Sequence, residues 1–502
     1  MSETPYDVVV VGGGTIAAAA GQHLAAAGYR TLLAERGDYG GGTSSRTSRL
    51  QHCGLSYFSP AANSIAAFVL NPKFGLRCIE LARRAMRGRS EFVQSSPERV
   101  RKLDFIVPLT PENAVPAWRA RLAFRLMAAF DGGKVPLSPR FLSAVEARKL
   151  PALQGLSGLD RIRGAICFDE YQFIWPERLI MDTIVKAREI GLEAHNYTPV
   201  SGLERDGEFW SVTLGGLGHG RKVSARAVVN CAGVWVDEVT GLAGPDGPLL
   251  NSGAKGTNIV ARLPEHLRGY GLETVTSTGM AFYLIPWGDL HYIGPWDTPA
   301  TGAPENFRAT EEEIQSILRE WNMLFPKIRL DRGDVLYSWA GARPRTRSDN
   351  ALMGGPRTRE HDLSDRGMPN YFAFTGGLLM THRDAGRRLT RAVARRLAPS
   401  GPKREIDYGA RLVPEGDRVS ETSVLWTIEK EQARTLAGIL RRRLPVGWEE
   451  DLGLGVVEEA ARIAAGPLGW SAEETARQIE RYRADTALEF APRSGVAAAS
   501  AA

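Results

Sequence analysis

Cysteine is scarce in this chain. Only four cysteines occur among 502 residues, and their positions show no paired spacing: Cys53, Cys78, Cys167 and Cys231. This scatter argues against a disulfide framework and against a zinc site, and it fits a reducing, cytosolic setting. We therefore expect no bound metal.

Long apolar runs are also missing. No stretch of about 18 uncharged apolar residues occurs, so no transmembrane helix is expected. The opening residues "MSETPYD" are polar and acidic, which predicts that no signal peptide is present. The net charge of +6 favours anionic ligands or a membrane surface only weakly, and no basic, aromatic-interleaved motif points to nucleic acid.

What the chain does contain is typical of a globular protein. Hydrophobic residues make up 43% and charged residues 24%, with 54 glycines and 29 prolines. A chain of this length predicts two or three domains.

The first 40 residues predict a strand, a glycine turn, a helix and a second strand. The β-branched run at 8–11 is typical of a parallel strand buried on both faces. An alanine-rich helix follows and is stopped by Gly28, and a strand over 31–34 leads to Glu35.

The glycine turn matches a dinucleotide-binding pattern. Gly12, Gly14 and Ala17 fit G-x-G-x-x-[GA], which gives a tight turn, close approach to a diphosphate and close helix packing. Thr15 begins the helix, whose free N–H groups would face the phosphates. Glu35, followed by Arg36, is placed to accept the hydroxyls of the adenosine ribose. A chance glycine turn is the alternative, and the register of strand, helix and acid favours the nucleotide.

Two further small-residue turns decide between NAD and FAD. "VVNCAGVWVD" predicts a strand ending at Ala232 and Gly233, and "FTGGLLMTHR" places Gly376 and Gly377 before a helix. Either turn alone could be an ordinary loop. Three such turns spread along the chain suit the long FAD molecule better than a nicotinamide dinucleotide.

Several segments resemble the FAD-dependent glycerol-3-phosphate dehydrogenases, within the wider group of D-amino-acid-oxidase-like flavoenzymes. "TSSRTSRLQHCGLSYF" is similar to that family's T-S-S-x-x-S-K-L-I-H-G-G-L-R-Y, and "YSWAGARPRT" to its S-G-V-R-P-L. "FTGGLLMTHR" resembles its G-G-K-L-T-T-Y-R and "IGPWD" its I-G-T-T-D. The matches keep their order along nearly the whole chain, so this chain is identified as a divergent member.

The resemblance implies roles around the flavin. Thr43, Ser44 and Ser45 would contact FAD, and His52 would lie at the flavin's reactive face. An imidazole there is suited to take the hydroxyl proton while hydride passes to flavin N5. Alternatively His52 only holds the loop or the flavin by a hydrogen bond. His382 could share the base role, or be a structural residue at a helix start.

The resemblance also implies an anion site with two departures. Arg343 matches the family's phosphate-contacting arginine, and Arg345 and Arg347 follow it; a solvated charged loop is the alternative. Tyr57 keeps the family's tyrosine. The departures are Ser56 in place of an arginine and Leu378 in place of a lysine. Two charge-assisted phosphate contacts are therefore missing, unless Arg345 and Arg347 replace them.

The expected architecture is α/β plus α. We expect a discontinuous Rossmann-like FAD-binding domain over 1–75, 145–255 and 335–400. An antiparallel-sheet substrate domain would cover 76–144 and 256–334. A helical domain over 405–490 and a disordered tail at 491–502 would complete the chain.

The leading hypothesis is an FAD-dependent dehydrogenase or oxidase. It would oxidise the secondary alcohol of a polyol phosphate, or of a related anionic or neutral polyol, and return electrons to quinone or oxygen. An amine or amino-acid oxidase and a flavin-binding protein without turnover are the alternatives. We expect a cytoplasmic protein; the resemblance allows a peripheral face at the inner membrane, for which 111–145 is the candidate. The oligomeric state stays open.

Overall fold

The computed structural model describes residues 4–54, 72–111, 116–216, 220–244, 247–347, 358–410 and 418–491. Ser56, Tyr57 and the predicted tail beyond Ala491 lie outside the described residues. Among the described residues, no helix combines the length and apolarity needed to span a bilayer.

Two multi-stranded sheets organise the chain. The strands are β1 Tyr6–Val11, β2 Thr31–Ala34, β3 Val100–Leu109, β4 Arg140–Ser143, β5 Gly164–Phe173, β6 Glu193–His195, β7 Val200–Asp206, β8 Phe209–Leu214, β9 Arg221–Asn230, β10 Ala254–Ala261, β11 Tyr270–Val275, β12 Ala281–Trp287, β13 Leu290–Thr298, β14 Val335–Arg343, β15 Arg359–Asp362 and β16 Tyr371–Thr375.

Helices flank both sheets and make up most of the C-terminal region. They are α1 Thr15–Ala26, α2 Pro72–Ser95, α3 Ala117–Asp131, α4 Ala144–Ala147, α5 Pro176–Glu189, α6 Val236–Ala243, α7 Glu311–Leu324, α8 His382–Ala394, α9 Glu421–Glu429, α10 Val457–Leu468 and α11 Ala472–Phe490. A π-helix, Gly438–Arg443, lies between α9 and α10.

The first sheet is built around parallel strands, in the order β15, β16, β9, β1, β2, β6, with the hairpin β7–β8 attached to β9. β1 is buried on both faces, as its run of valines predicts, and pairs in parallel with β2 and β9. Helix α1 packs on this sheet between α5 and α8. The carboxyl ends of β1, β9 and β16 therefore open at one edge, each followed by a small-residue turn.

The second sheet runs in the order β14, β10, β13, β12, β11, β3, β5, β4. Its pairs are antiparallel except for β3 with β11, so the expected antiparallel sheet contains one parallel pair. The pairing of strands also differs from the expected domain boundaries at two places. β5 and β14 were expected in the FAD-binding domain, yet both pair within the second sheet because their partners β3 and β10 lie there.

The C-terminal helices pack on both parts of the molecule. Trp448 and Phe490 join an aromatic core with Trp287 and Trp339 of the second sheet. Arg443 at the end of the π-helix forms a buried ion pair with Asp38, just beyond β2. The described C-terminal region is thus fixed against the nucleotide edge of the first sheet.

Candidate active site

An elongated cavity of about 580 Å³ runs along the carboxyl edge of the first sheet. All three glycine or small-residue turns open into it: Gly12–Gly14, Ala232–Gly233 and Gly376–Gly377. Thr43 and Ser44 line its middle, and Ala340–Ala342 of β14 line it from the second sheet.

Gly12 shows why glycine is needed at the first turn. Its φ is +112°, and a Cβ there would lie 2.7 Å from the carbonyl oxygen of Cys231. The turn after β1 and the turn after β9 therefore approach one another backbone to backbone. A side chain at Gly12 would force these two strand ends apart.

Helix α1 begins directly behind this turn. Its N-cap, Gly14, has no side chain to bond the first-turn N–H groups. The Oγ of Ser44 lies 3.1 Å from the Thr15 backbone nitrogen and 3.0 Å from the Thr15 Oγ1. The helix start and the Thr43–Ser45 turn thus present hydroxyls and amide donors together, a geometry that fits a diphosphate.

Glu35 and Arg36, which follow β2, also line the cavity. One carboxylate oxygen of Glu35 accepts the N–H of Gly37 at 2.7 Å, and burial raises the pKa of this carboxyl. Arg36 stacks over the ring of Trp235 at 4.4 Å and pairs with Glu238 at 3.6 Å. The end of β2 therefore offers an acceptor for ribose hydroxyls beside a flat aromatic surface.

Two residues predicted to bind the cofactor do not line the cavity. Ala17 is completely buried in the interface between α1 and the sheet, so its part is the close packing that its small size allows. The hydroxyl of Ser45 donates to the carbonyl oxygen of Gly42 inside its own turn. In both cases the helical turn directs the side chain away from the cavity.

His52 and Arg343 are not among the described residues that line the cavity. Thr47, Ala342 and Pro344 line it, next in sequence to Ser48 and Arg343. The Nε2 of His52 lies 3.3 Å from the Ser48 Oγ, and its ring centroid is 5.9 Å from that of Tyr283. Burial, assisted by the positive charge of Arg343, lowers the pKa of His52 to about 4. The imidazole is therefore neutral at physiological pH and able to accept a proton.

Arg343 is held by an acid that sequence reasoning did not single out. Its Nη1 donates to an Asp297 carboxylate oxygen at 3.0 Å, and Arg345 approaches the same oxygen at 3.6 Å. Asp297 stands in the quoted "IGPWD" segment, which was the available signal. Two arginines on one aspartate leave a net positive charge beside His52, which suits an anionic substrate.

Of the other predicted residues, some line the cavity and some do not. Leu378 lines the cavity directly after the Gly376–Gly377 turn. His382 is buried, with its Nδ1 2.7 Å from the Leu379 carbonyl oxygen and its ring against Phe92. It does not line the cavity, so this geometry favours the structural alternative. Sequence reasoning missed three residues that line the cavity. Trp235 stands in the quoted "VVNCAGVWVD" segment, which was the available signal, whereas Arg442 and Glu489 belong to no quoted motif.

These features define a class. The parallel sheet has three small-residue turns at one edge and an acid after its second strand, and it shares its cavity with a second sheet. This combination describes a dinucleotide-dependent oxidoreductase. The family described as FAD dependent oxidoreductase matches residues 7–398, and the chain belongs to it. It is an FAD-dependent enzyme of the dehydrogenase and oxidase type, as the glycine turns predicted.

Relatives and solved structures agree with this family. The chain is 27% identical to the glycerol-3-phosphate dehydrogenase of Synechocystis sp. over 96% of both chains. It is 29% identical to the D-erythritol 1-phosphate dehydrogenase of Brucella abortus, over 76% of this chain and 72% of that protein. The fold matches glycerol-3-phosphate dehydrogenase from Bacillus halodurans complexed with FAD, with a TM-score of 0.72, 21% identity, and coverage of 97% and 96%.

Proposed function

We propose that this enzyme oxidises a secondary alcohol of a polyol phosphate, or of a closely related anionic polyol, to a ketone. The observation that carries this proposal is the buried imidazole of His52, which lies close enough to Arg343 to feel its charge, while Ala342 and Pro344 on either side of Arg343 line the cavity. The chemistry needs a proton acceptor and an anion-binding group on one substrate molecule.

Each side chain has a distinct part. Arg343, oriented by Asp297, binds the anionic group and fixes the position of the carbinol carbon. His52 accepts the hydroxyl proton at its imidazole nitrogen. Bound FAD supplies the two-electron acceptor that takes the hydride. Quinone or oxygen then receives the electrons.

The substrate class follows from the altered anion site. Leu378 provides no charge where the glycerol-3-phosphate dehydrogenase pattern has lysine, and Ser56 provides none where it has arginine. Arg345 meets Arg343 on Asp297 and partly replaces the missing cations. The similarity to both a glycerol-3-phosphate dehydrogenase and a D-erythritol 1-phosphate dehydrogenase supports a polyol phosphate as the substrate.

The direct test is anaerobic reduction of the bound flavin. The holoenzyme is mixed with glycerol 3-phosphate, D-erythritol 1-phosphate, their neutral polyols and a set of amino acids, and the visible band of oxidised flavin is followed. We expect bleaching by a polyol phosphate and a ketone product. Bleaching by amino acids with release of ammonia would establish the amine-oxidising alternative instead.

A gain-of-function pair tests the altered site. Ser56→Arg with Leu378→Lys should increase the turnover of glycerol 3-phosphate, because it restores two charged contacts. Leu378→Met keeps the volume without the charge and serves as the control. No gain from the charged pair would contradict the idea that these two positions set substrate choice.

We also propose a peripheral membrane contact through α3. Trp118, Leu122 and Leu126 recur every fourth residue along this helix and are 64%, 59% and 37% exposed. Exposed arginines flank them at Arg119, Arg121 and Arg125. An apolar stripe bordered by cations fits the interface of an anionic bilayer.

Vesicle sedimentation tests this contact. Trp118→Ser with Leu122→Ser should abolish sedimentation with anionic lipid vesicles. Leu249→Ser, which removes a side chain that is 60% exposed elsewhere, should change nothing. Equal sedimentation of all three proteins would refute a role for α3.

A further inference from the structure

The C-terminal region reaches into the cofactor cavity. The family match ends at residue 398, yet Arg442 and Glu489 both line the cavity. Arg442 belongs to the π-helix Gly438–Arg443, which contains three consecutive arginines. Its neighbours have structural partners, because Arg441 bonds to the side chains of Thr486 and Glu489 and Arg443 to that of Asp38. The three consecutive arginine side chains therefore leave the π-helix in different directions.

Arg442 lies beside the phosphate-binding turn. Its Nη2 would be 3.6 Å from a Cβ built on Gly41. The neighbouring Gly40 donates its N–H to the carbonyl oxygen of Gly13 at 2.9 Å. The loop that meets the Arg442 guanidinium is therefore bonded directly to the turn in front of α1.

The two acids near Arg442 are already bonded to other cations. Glu489, whose pKa Arg442 helps to lower, accepts from Arg46 and Arg441. Asp38 lies 3.6 Å from Arg442, a distance too long for a hydrogen bond. Both oxygens of Asp38 already accept from Arg443, at 2.6 and 2.8 Å. Asp38 is thus neutralised by another cation, and Arg442 adds a positive charge to the site.

The other cations that line the cavity have contacts at other places. Arg46 pairs with Glu489 at 2.8 Å, and Arg36 stacks over Trp235. Arg308 donates to the backbone carbonyls of Glu305 and Phe307, which do not cancel its charge. Arg442 differs from these three in its position next to Gly41, the neighbour of the glycine whose N–H bonds to Gly13.

We propose that Arg442 binds the diphosphate of FAD, so that the C-terminal helical region completes the cofactor site. A planar guanidinium can donate two parallel hydrogen bonds to phosphate oxygens. Docking of the region 418–491 and binding of FAD are then coupled. The inference depends on the FAD of the family and is independent of which substrate is oxidised.

The first test measures FAD release from the holoenzyme. On dilution, the fluorescence of freed flavin gives the dissociation constant of FAD. Arg442→Gln should raise this constant at least about tenfold, because a charge-assisted contact is lost. Arg442→Lys keeps the charge without the fork and should give an intermediate value. Arg462→Gln, at an exposed position on α10, should match the wild type.

Competition identifies the group that Arg442 recognises. ADP contains the diphosphate and adenosine does not, so wild-type protein should release FAD to ADP far more readily than to adenosine. In Arg442→Gln the advantage of ADP should shrink about tenfold, while displacement by adenosine stays unchanged. An unchanged advantage of ADP would overturn the proposal. The proposal would also be overturned if displacement by ADP and by adenosine weakened equally, or if the variant could not fold even with excess FAD. Either result would mean that Arg442 only stabilises the fold.

Discussion

Arg343 of β14 and Asp297 of β13 form an ion pair across the intervening strand β10, with 3.0 Å between Nη1 and Oδ2. β14 and β13 both pair with β10, which brings these two residues to the same end of the sheet. The pair holds the guanidinium in place while leaving part of it, 43% of the side chain, exposed.

This arrangement predicts selective loss in Arg343→Gln. The kcat/KM for an anionic polyol should fall by about tenfold to a hundredfold, because a charged hydrogen bond to substrate is lost. Oxidation of the matching neutral polyol should be unchanged. Asp297→Asn is the partner variant and should raise KM for the anion, since it weakens the ion pair that orients Arg343. Parallel losses for both kinds of polyol in both variants would mean that the pair only maintains the fold.

His52→Ala should retain its flavin and reduce it slowly. Removal of a general base typically costs 10²- to 10⁴-fold in rate. Ser48→Ala is the matched control, since it deletes only the hydroxyl 3.3 Å from the imidazole, and it should have a small effect. Stopped-flow reduction of the bound flavin measures both variants. If the flavin of His52→Ala were reduced at the wild-type rate, His52 would only hold the loop or the flavin by a hydrogen bond.

The low pKa of His52 predicts the pH profile. His52 must be neutral to accept a proton, and burial together with Arg343 lowers its pKa to about 4. The kcat/KM should therefore stay level as pH falls from neutral and decline only as pH approaches that value. Arg343→Gln removes a nearby positive charge, which eases protonation and should move the decline to higher pH. A wild-type decline centred at the ordinary histidine pKa, about 6.5, would count against this environment.

Gly12→Ala should lose both stability and flavin. The new Cβ would meet the Cys231 carbonyl at 2.7 Å in addition to the strain of a positive φ. Gly132→Ala separates the two causes, because Gly132 has a φ of +70° and a Cβ there would meet none of the described residues within 4 Å. We expect the control to lose about 1–2 kcal/mol and keep its flavin. Chemical denaturation and the ratio of flavin to protein absorbance distinguish the two variants.

Glu177 predicts a pH-dependent stability. Within the described part of the chain, both of its carboxylate oxygens are buried without a hydrogen-bond partner, and burial raises its pKa from 4.5 to about 7 against the opposing charge of Arg49. The folded protein thus holds this proton more tightly than the unfolded chain. The resulting stabilisation is present below 4.5 and is lost as pH rises through about 7.

Glu177→Gln cannot ionise and should become more stable relative to the wild type as pH rises. The gain is at most about 3 kcal/mol above neutrality, from 1.36 kcal/mol per pKa unit. Denaturation of the two proteins across the acid-to-neutral range measures it. Glu312→Gln, at an exposed position on α7, should show no such trend. A stability difference that is constant with pH would contradict an ionisable Glu177.

Much of the cavity lining could be predicted from the sequence. Gly12, Glu35, the Ala232–Gly233 turn and the Gly376–Gly377 turn all line one cavity. They were recognisable because each follows a strand directly, and strand ends of a parallel sheet meet at one edge. The sequence could not predict that the side chains of Ala17 and Ser45 point away from the cavity. The direction of a side chain on a helical turn depends on which way that turn faces in the folded protein.

The local pattern of the sequence determined the strand–turn–helix unit, the acid after β2 and the order of family-like segments, since each depends on neighbours a few residues away. Tertiary structure decided the rest. It paired β5 and β14 with the second sheet, placed Asp297 on Arg343 and brought Arg442 to Gly41 across most of the chain. Such contacts depend on how sheets and helices pack, and no short-range preference of the chain encodes them.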